Sequence, residues 1–142
     1  MDERKLKIAV VEDDEQLAEL WTAVLERAVY ERCPNCGDVL VEKSFEVERF
    51  PDGEAFVVAR MSDYDVAIID LVLRPEGMHG ITVIRGASKW VTCVAVSGSS
   101  DTDRASAHLA GAKMVVEKPA AIKGIREIVR AALLLYGSRR PP

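Results

Sequence analysis

Short apolar runs of strand length, each leading into a polar residue, alternate along this chain with segments of helical period, and that alternation leaves few folds open. Ile8-Ala9-Val10-Val11 runs into Glu12-Asp13-Asp14, and Val66-Ala67-Ile68-Ile69 runs into Asp70. Val91-Thr92-Cys93-Val94-Ala95-Val96 runs into Ser97, and Met114-Val115-Val116 leads to Lys118-Pro119. A further strand is expected over Ser44 to Phe50. Strands separated by helices read as an α/β fold with a parallel sheet.

The helical segments follow from their spacing. The first starts near Asp14 and places Leu17, Leu20, Trp21, Val24, Leu25 and Ala28 on one buried stripe. Pro51-Asp52-Gly53 opens a short helix carrying Phe56 and Ala59. The loop from Arg74 to Gly80 leads to a helix ending near Ser88, and a fourth helix covers Asp101 to Ala110, with Gly111 as its left-handed cap. The last helix buries Ile122, Ile125, Ile128, Val129, Ala132, Leu133 and Tyr136 and turns Lys123, Arg126, Glu127 and Arg130 outward. The expected fold is thus a doubly wound, five-stranded parallel sheet flanked by five helices, in a single domain over residues 1–142. The stretch 137–142 reads as a linker or free end.

A chain of 142 residues can bury one real core. Its hydrophobic share of 49% and charged share of 30% are those of an ordinary soluble protein. A net charge of −4 argues against direct nucleic-acid contact. No apolar stretch approaches the roughly 18 residues of a membrane span, and the N-terminus lacks the apolar stretch of a secretory signal. A cytoplasmic protein with reduced cysteines is expected. No glycine-rich phosphate loop of either common type is present.

Chemistry gathers where the strands end. In an open parallel sheet the C-terminal strand ends share one edge, and ligands bind there. That edge would carry Glu12, Asp13, Asp70, Ser97 and Lys118. Clustered carboxylates call for a hard, oxygen-seeking cation such as Mg²⁺. A carboxylate can also attack phosphorus and hold an acyl phosphate. Each residue alone has a plainer explanation, as a helix cap, a solvated turn or a chance Lys-Pro pair. It is their joint order that carries meaning.

In that order the chain resembles the receiver domain of two-component response regulators, a flavodoxin-like fold, over about residues 5–136 apart from one insertion. The resemblance implies that Asp70 accepts a phosphoryl group from a histidine kinase or a histidine phosphotransfer protein. It implies that Asp13 and Asp70 hold Mg²⁺ with the backbone carbonyl of Val72, while Glu12 acts through a metal-bound water or holds Asp13. Lys118 and Ser97 would meet phosphoryl oxygens, and the Lys118–Pro119 peptide bond would be cis. Phosphorylation would then switch binding to a downstream protein that the sequence does not identify, and the domain would be a phosphoacceptor rather than an enzyme. Two other readings compete. A haloacid-dehalogenase-like phosphohydrolase wants a second aspartate two residues after the nucleophile, where this chain has Val72, and a cap domain for which it has no room. A degenerate receiver acting without phosphorylation tends to lose the acidic pair, the acceptor or the lysine, and none is lost here.

The chain departs from the family in four places. The position three residues before the lysine, usually an aromatic ring that reorients on activation, is Val115. Val72 and Ser99 occupy the two positions that influence the water attacking the acyl phosphate, and neither reaches far as a hydrogen-bonding group, so a long-lived phosphoryl group is expected. The helix after Gly80 is short and the loop before it long. Finally, an insertion at about 31–43 carries Cys33-Pro34-Asn35-Cys36-Gly37, which resembles one knuckle of a zinc ribbon. Two thiolates fill half of a tetrahedral zinc site, so a zinc held by Cys33 and Cys36 would have to be shared across a homodimer. A disulfide or redox pair and an inert tight turn are the other readings of this insertion.

Overall fold

A computed structural model describes residues 5–27, 29–32, 34–37, 39–42, 45–72, 79–98 and 101–140. Five strands form one parallel sheet: β1 (Lys7–Val11), β4 (Glu46–Phe50), β5 (Val66–Asp70), β6 (Thr92–Ser97) and β7 (Met114–Glu117), in the order β4-β1-β5-β6-β7. Between them lie the helices α1 (Glu15–Glu26), α2 (Gly53–Val57), α3 (Gly80–Ala87), α4 (Asp101–Ala110) and α5 (Lys118–Tyr136). The doubly wound fold is the expected one. The insertion adds β2 (Val29–Arg32) and β3 (Val39–Glu42), which pair antiparallel as a separate two-stranded hairpin and break the strict alternation of strand and helix.

Side-chain alternation along each strand divides the core in two. Ile8, Val10, Val66, Ile68, Val94 and Val96 face α1 and α5, where they meet Leu17, Trp21, Leu25, Ile125 and Val129. Ala9, Val11, Ala67, Ile69, Cys93 and Ala95 face α2, α3 and α4, where they meet Phe56, Val83, Ile84 and Ala107. Residues 8–11 and 66–69 are all fully buried, which is why these runs are apolar without alternation.

The helix ends behave as their residues dictate. Asp14 caps α1, accepting from the amides of Gln16 at 3.0 Å and Leu17 at 3.2 Å, and Asp52 caps α2 through the Ala55 amide at 2.8 Å. His79 caps α3 in the same way, its Nδ1 accepting from the Ile81 amide at 3.1 Å. Gly111 follows α4 at a positive φ of 121°.

Three expectations are corrected. Leu20, Ile122 and Tyr136, assigned to buried stripes, are each about half exposed, at 45%, 45% and 47%. Their helices pack on one side only, so the stripe is narrower than the apolar periodicity. Arg126, assigned to the outer face of α5, is 5% exposed and lies across the end of α1, donating to the carbonyls of Val24, Leu25 and Arg27. The residues after α5 are not free up to Arg140. The Gly137 carbonyl accepts from Thr92 Oγ1 at 2.7 Å, and Ser138 Oγ donates to Asp65 Oδ1 at 2.6 Å. Arg140 Nη1 pairs with Asp65 Oδ2 at 3.2 Å, an oxygen that also accepts from the Lys7 amide at 2.7 Å. Asp65 is fully buried just before β5, and the strap satisfies it at the sheet edge opposite the acidic residues.

Candidate functional site

The chain reverses its direction of winding at β1, which pairs with β4 on one side and β5 on the other. Such a switch point opens a crevice beyond the C-terminal strand ends. Glu12 and Asp13 leave β1 there and Asp70 ends β5 beside them. One carboxylate oxygen from each of Glu12, Asp13 and Asp70 lies within 4.8 Å of the others. Glu12 and Asp70 are each 2% exposed, while Asp13 is open to solvent.

Asp70 is held on both oxygens. Its Oδ1 accepts from the Val72 amide at 2.9 Å, and its Oδ2 accepts from Lys118 Nζ at 3.0 Å. Lys118 reaches the site from the first residue of α5 and lies 3.5 Å from Glu12 Oε1 as well. Gly80 completes the mounting. A methyl group there would collide with the Asp70 carbonyl oxygen and come within 2.6 Å of Leu71 Cα, so only glycine lets α3 start this close to the end of β5.

The electrostatics follow from burial. Desolvation first, then the hydrogen bond with Asp70 and its charge, push the Glu12 carboxyl from the ordinary 4.5 up to about 8, although Lys118 works in the other direction. Desolvation opposes the charge on Lys118, but Asp70 and Glu12 together outweigh it and raise its pKa. Glu12 Oε1 has no hydrogen-bond partner among the described residues. An unsatisfied buried carboxylate oxygen beside two further carboxylates is a donor set suited to a hard divalent cation, with the exposed Asp13 side left open to water.

Ser97 lies at the same edge, at the end of β6. It is 1% exposed, and its hydroxyl finds no partner among the described residues. That leaves a buried donor free to turn toward an incoming oxygen. Beside β7 the small Val115 leaves a hollow of about 390 Å³ lined also by Arg104, Val116, Glu117 and Ala120. Arg104 Nη2 reaches the Val115 carbonyl at 3.4 Å, so a guanidinium occupies the neighbourhood where the resemblance expects a ring.

Of the expected site residues, Glu12, Asp13, Asp70 and Lys118 are brought together, Val72 adjoins them through its amide, and Ser97 shares their edge. The Lys118–Pro119 bond is a correction: no described peptide bond is cis, and Pro119 sits in the first turn of α5, where its fixed φ suits a helix start. Cys33 and Ser99 lie outside the described residues. Cys36 is an exposed free thiol in the turn between β2 and β3. Among the described residues, no grouping of His, Cys, Asp and Glu suited to a metal includes a cysteine. Sequence reasoning missed Arg49, placing Lys118 alone among the basic residues at this edge. A cleft of about 380 Å³ is lined by Glu12, Asp13, Glu15, Ala18, Arg49 and Pro51. The signal was there, since strand alternation from Val47 puts Arg49 on the α1 side, but β4 carries too few apolar residues for the sequence alone to say which of its faces meets α1.

No protein-family model and no curated protein sequence matches the chain. Solved structures do match. The BeF3-activated receiver domain of DrrB from Thermotoga maritima aligns with a TM-score of 0.69 at 22% identity, covering 92% of this chain and 99% of that one. A two-component response regulator from Clostridium difficile aligns at 0.72 and 17% identity, covering 94% and 100%. The BeF3-activated N-terminal receiver domain of RstA from Klebsiella pneumoniae aligns at 0.67 and 23%, covering 89% and 97%. The chain therefore has the flavodoxin-like fold of response-regulator receiver domains. At these identities the likeness is one of fold.

Proposed function

We propose that the chain is a phosphoacceptor receiver domain of a two-component pathway. It takes a phosphoryl group from a histidine kinase or histidine phosphotransfer protein onto Asp70 and changes its binding to a downstream partner. The observation that carries this reading is the mounting of Asp70 at the switch point, with Lys118 Nζ 3.0 Å from one oxygen and the carboxylates of Glu12 and Asp13 beside it. In this reading Asp13, Asp70 and the Val72 carbonyl hold Mg²⁺, with Glu12 assisting. The cation neutralises a site that a phosphoryl dianion could not otherwise enter. The domain receives the group rather than turning over a substrate. No helix among the described residues is long and apolar enough to cross a membrane, which fits action in the cytoplasm. The test is intact mass after incubation with acetyl phosphate and Mg²⁺. A gain of about 80 Da, one phosphoryl group, is expected, and its absence overturns the reading in favour of a degenerate receiver.

The Glu12 pKa sets a pH dependence. Its folded value of about 8 lies above the ordinary 4.5, so the folded chain holds a proton there that the unfolded chain has lost. In metal-free protein this contribution to stability is complete below pH 4.5 and fades as pH rises through 8. A cation that needs Glu12 ionised must displace that proton, so apparent Mg²⁺ affinity should rise about tenfold per pH unit up to the folded pKa. Thermal unfolding against MgCl₂ at pH 6, 7 and 8 checks this. A Mg²⁺ response that is flat with pH, or an equal response in Asp13→Ala, contradicts it.

Val72 gives a second expectation. Its side chain is 64% exposed at the site's mouth and offers no hydrogen bond to a hydrolytic water. Val72→Asn supplies one. A hydrogen bond worth about 1 kcal/mol in aligning that water corresponds to roughly fivefold faster loss of phosphate. A variant no faster than wild type contradicts this account of the pocket.

A further inference from the structure

Resting on the receiver reading, we infer that Arg49 is a positioning residue that draws the anionic phosphodonor into the cleft. Three observations lead to it. Arg49 lines the cleft that contains Glu12 and Asp13, next to the first turn of α1. Its guanidinium is exposed, and among the described residues it makes no hydrogen bond or ion pair, so it is free to meet an incoming anion. The other cation at the site, Lys118, is already engaged by Asp70 at 3.0 Å and Glu12 at 3.5 Å, and it follows β7, whereas Arg49 lies on β4 at the opposite edge of the sheet.

The donor problem requires such a group. Acetyl phosphate or a phosphohistidine arrives carrying negative charge at an entrance lined by Glu12, Asp13 and Glu15. In the transfer, an Asp70 oxygen forms the new bond to phosphorus. The bond from phosphorus to the leaving group breaks, and its electron pair departs with that group, as acetate when acetyl phosphate is the donor. Lys118 is placed to meet the transferred phosphoryl oxygens. Arg49, which lines the cleft with Glu12 and Asp13, is placed to meet the donor before transfer. A charge in a cleft with low-dielectric walls raises the local concentration of its counter-ion. Its effect therefore falls on capture of the donor and not on the chemical step. The same charge repels a divalent cation bound at Asp13 and Asp70, so removing it should act on Mg²⁺ in the opposite direction.

The experiment measures the initial rate of the +80 Da species against acetyl phosphate concentration at saturating Mg²⁺, in wild type, Arg49→Ala, Arg49→Glu and Arg49→Lys. Half-saturation should rise about fivefold in Arg49→Ala and further in Arg49→Glu, with the plateau rate kept, and Arg49→Lys should stay near wild type. In the same proteins, the Mg²⁺ midpoint read by calorimetry without donor should fall in Arg49→Ala and Arg49→Glu. A structural defect would not weaken donor capture while tightening the metal. Wild-type uptake with half-saturation unchanged in Arg49→Ala and Arg49→Glu, or a lowered plateau at unchanged half-saturation, overturns this inference alone. Wild-type protein that takes up no phosphoryl group overturns the receiver reading and this inference with it.

Discussion

Asp70→Asn is expected to remain folded and to show no 80 Da gain with acetyl phosphate and Mg²⁺. The amide keeps the shape of the carboxyl and can still accept from the Val72 amide, 2.9 Å from Oδ1 in the wild type. What it loses is the charged oxygen that the proposed transfer needs as its nucleophile, and a neutral amide is no substitute. The second oxygen becomes an NH₂ group facing Lys118 Nζ, which stood at 3.0 Å, so two donors now oppose each other. Lys118 then turns to Glu12, already within 3.5 Å. Two of the causes that raise the Glu12 pKa, the hydrogen bond with Asp70 and its charge, vanish together. Glu12 ionises more readily, and the loss of stability between pH 6 and 9 in chelator should be shallower than in wild type. Mass spectrometry reads the first effect and thermal unfolding at the two pH values reads the second. An adduct that persists in the variant would place the acceptor on another residue.

The parts of this molecule that were legible in the sequence share one property: each was a local pattern repeated in order. Three strands, β1, β5 and β6, announced themselves as apolar runs because both of their faces are covered, while the shorter run of β7 lies half-covered at one edge of the sheet; the polar residue that ended each run marked the sheet edge without any knowledge of packing. Asp70, Asp13, Glu12, Ser97 and Lys118 were readable for the same reason. The fifth parallel strand, β4, lies at the other edge of the sheet and reads Glu-Val-Glu-Arg-Phe, mostly exposed, so it starts two residues after Ser44 and no apolar face marked which way Arg49 points.

What escaped were residues whose roles depend on distant parts of the chain. Arg126 looked like one more charge on an outer helix face, because nothing in its neighbourhood shows that the end of α1, about a hundred positions earlier, needs a donor. The strap from Gly137 to Arg140 looked free, because Ser138 and Arg140 meet Asp65 from 73 and 75 residues away. The insertion was visible as a departure, yet its hairpin rests on pairing between Val29–Arg32 and Val39–Glu42, each only four residues long. In each case local pattern had no access to long-range polar satisfaction, which is decided by tertiary packing.

Arg126→Ala should cost about 3 kcal/mol of stability. Helix α1 ends without a glycine or a side-chain cap of its own, its C-cap Arg27 being extended at φ −76° and ψ 133°. The last carbonyls of a helix have no partner within it. Arg126 fills that need from α5, donating to Val24, Leu25 and Arg27, and lies over the Phe45 ring with its Cζ 5.7 Å from the centroid. A hydrogen bond from a charged donor contributes about 1.5–3 kcal/mol, and a buried carbonyl left bare costs about 1–3 kcal/mol. Water reaches the exposed Arg27 side and offsets part of the loss. For a domain of this size the result is a fall in melting temperature of about 10 °C. Arg126→Met keeps most of the apolar stem and restores none of the donors, so it should be nearly as damaging if polar satisfaction dominates. Lys123→Ala, on the exposed side of the same helix, should stay within about 0.5 kcal/mol of wild type. Denaturant melts of the three variants separate the contributions. Recovery of most of the stability in Arg126→Met would show that packing against Phe45, and not the end of α1, is what this arginine supplies.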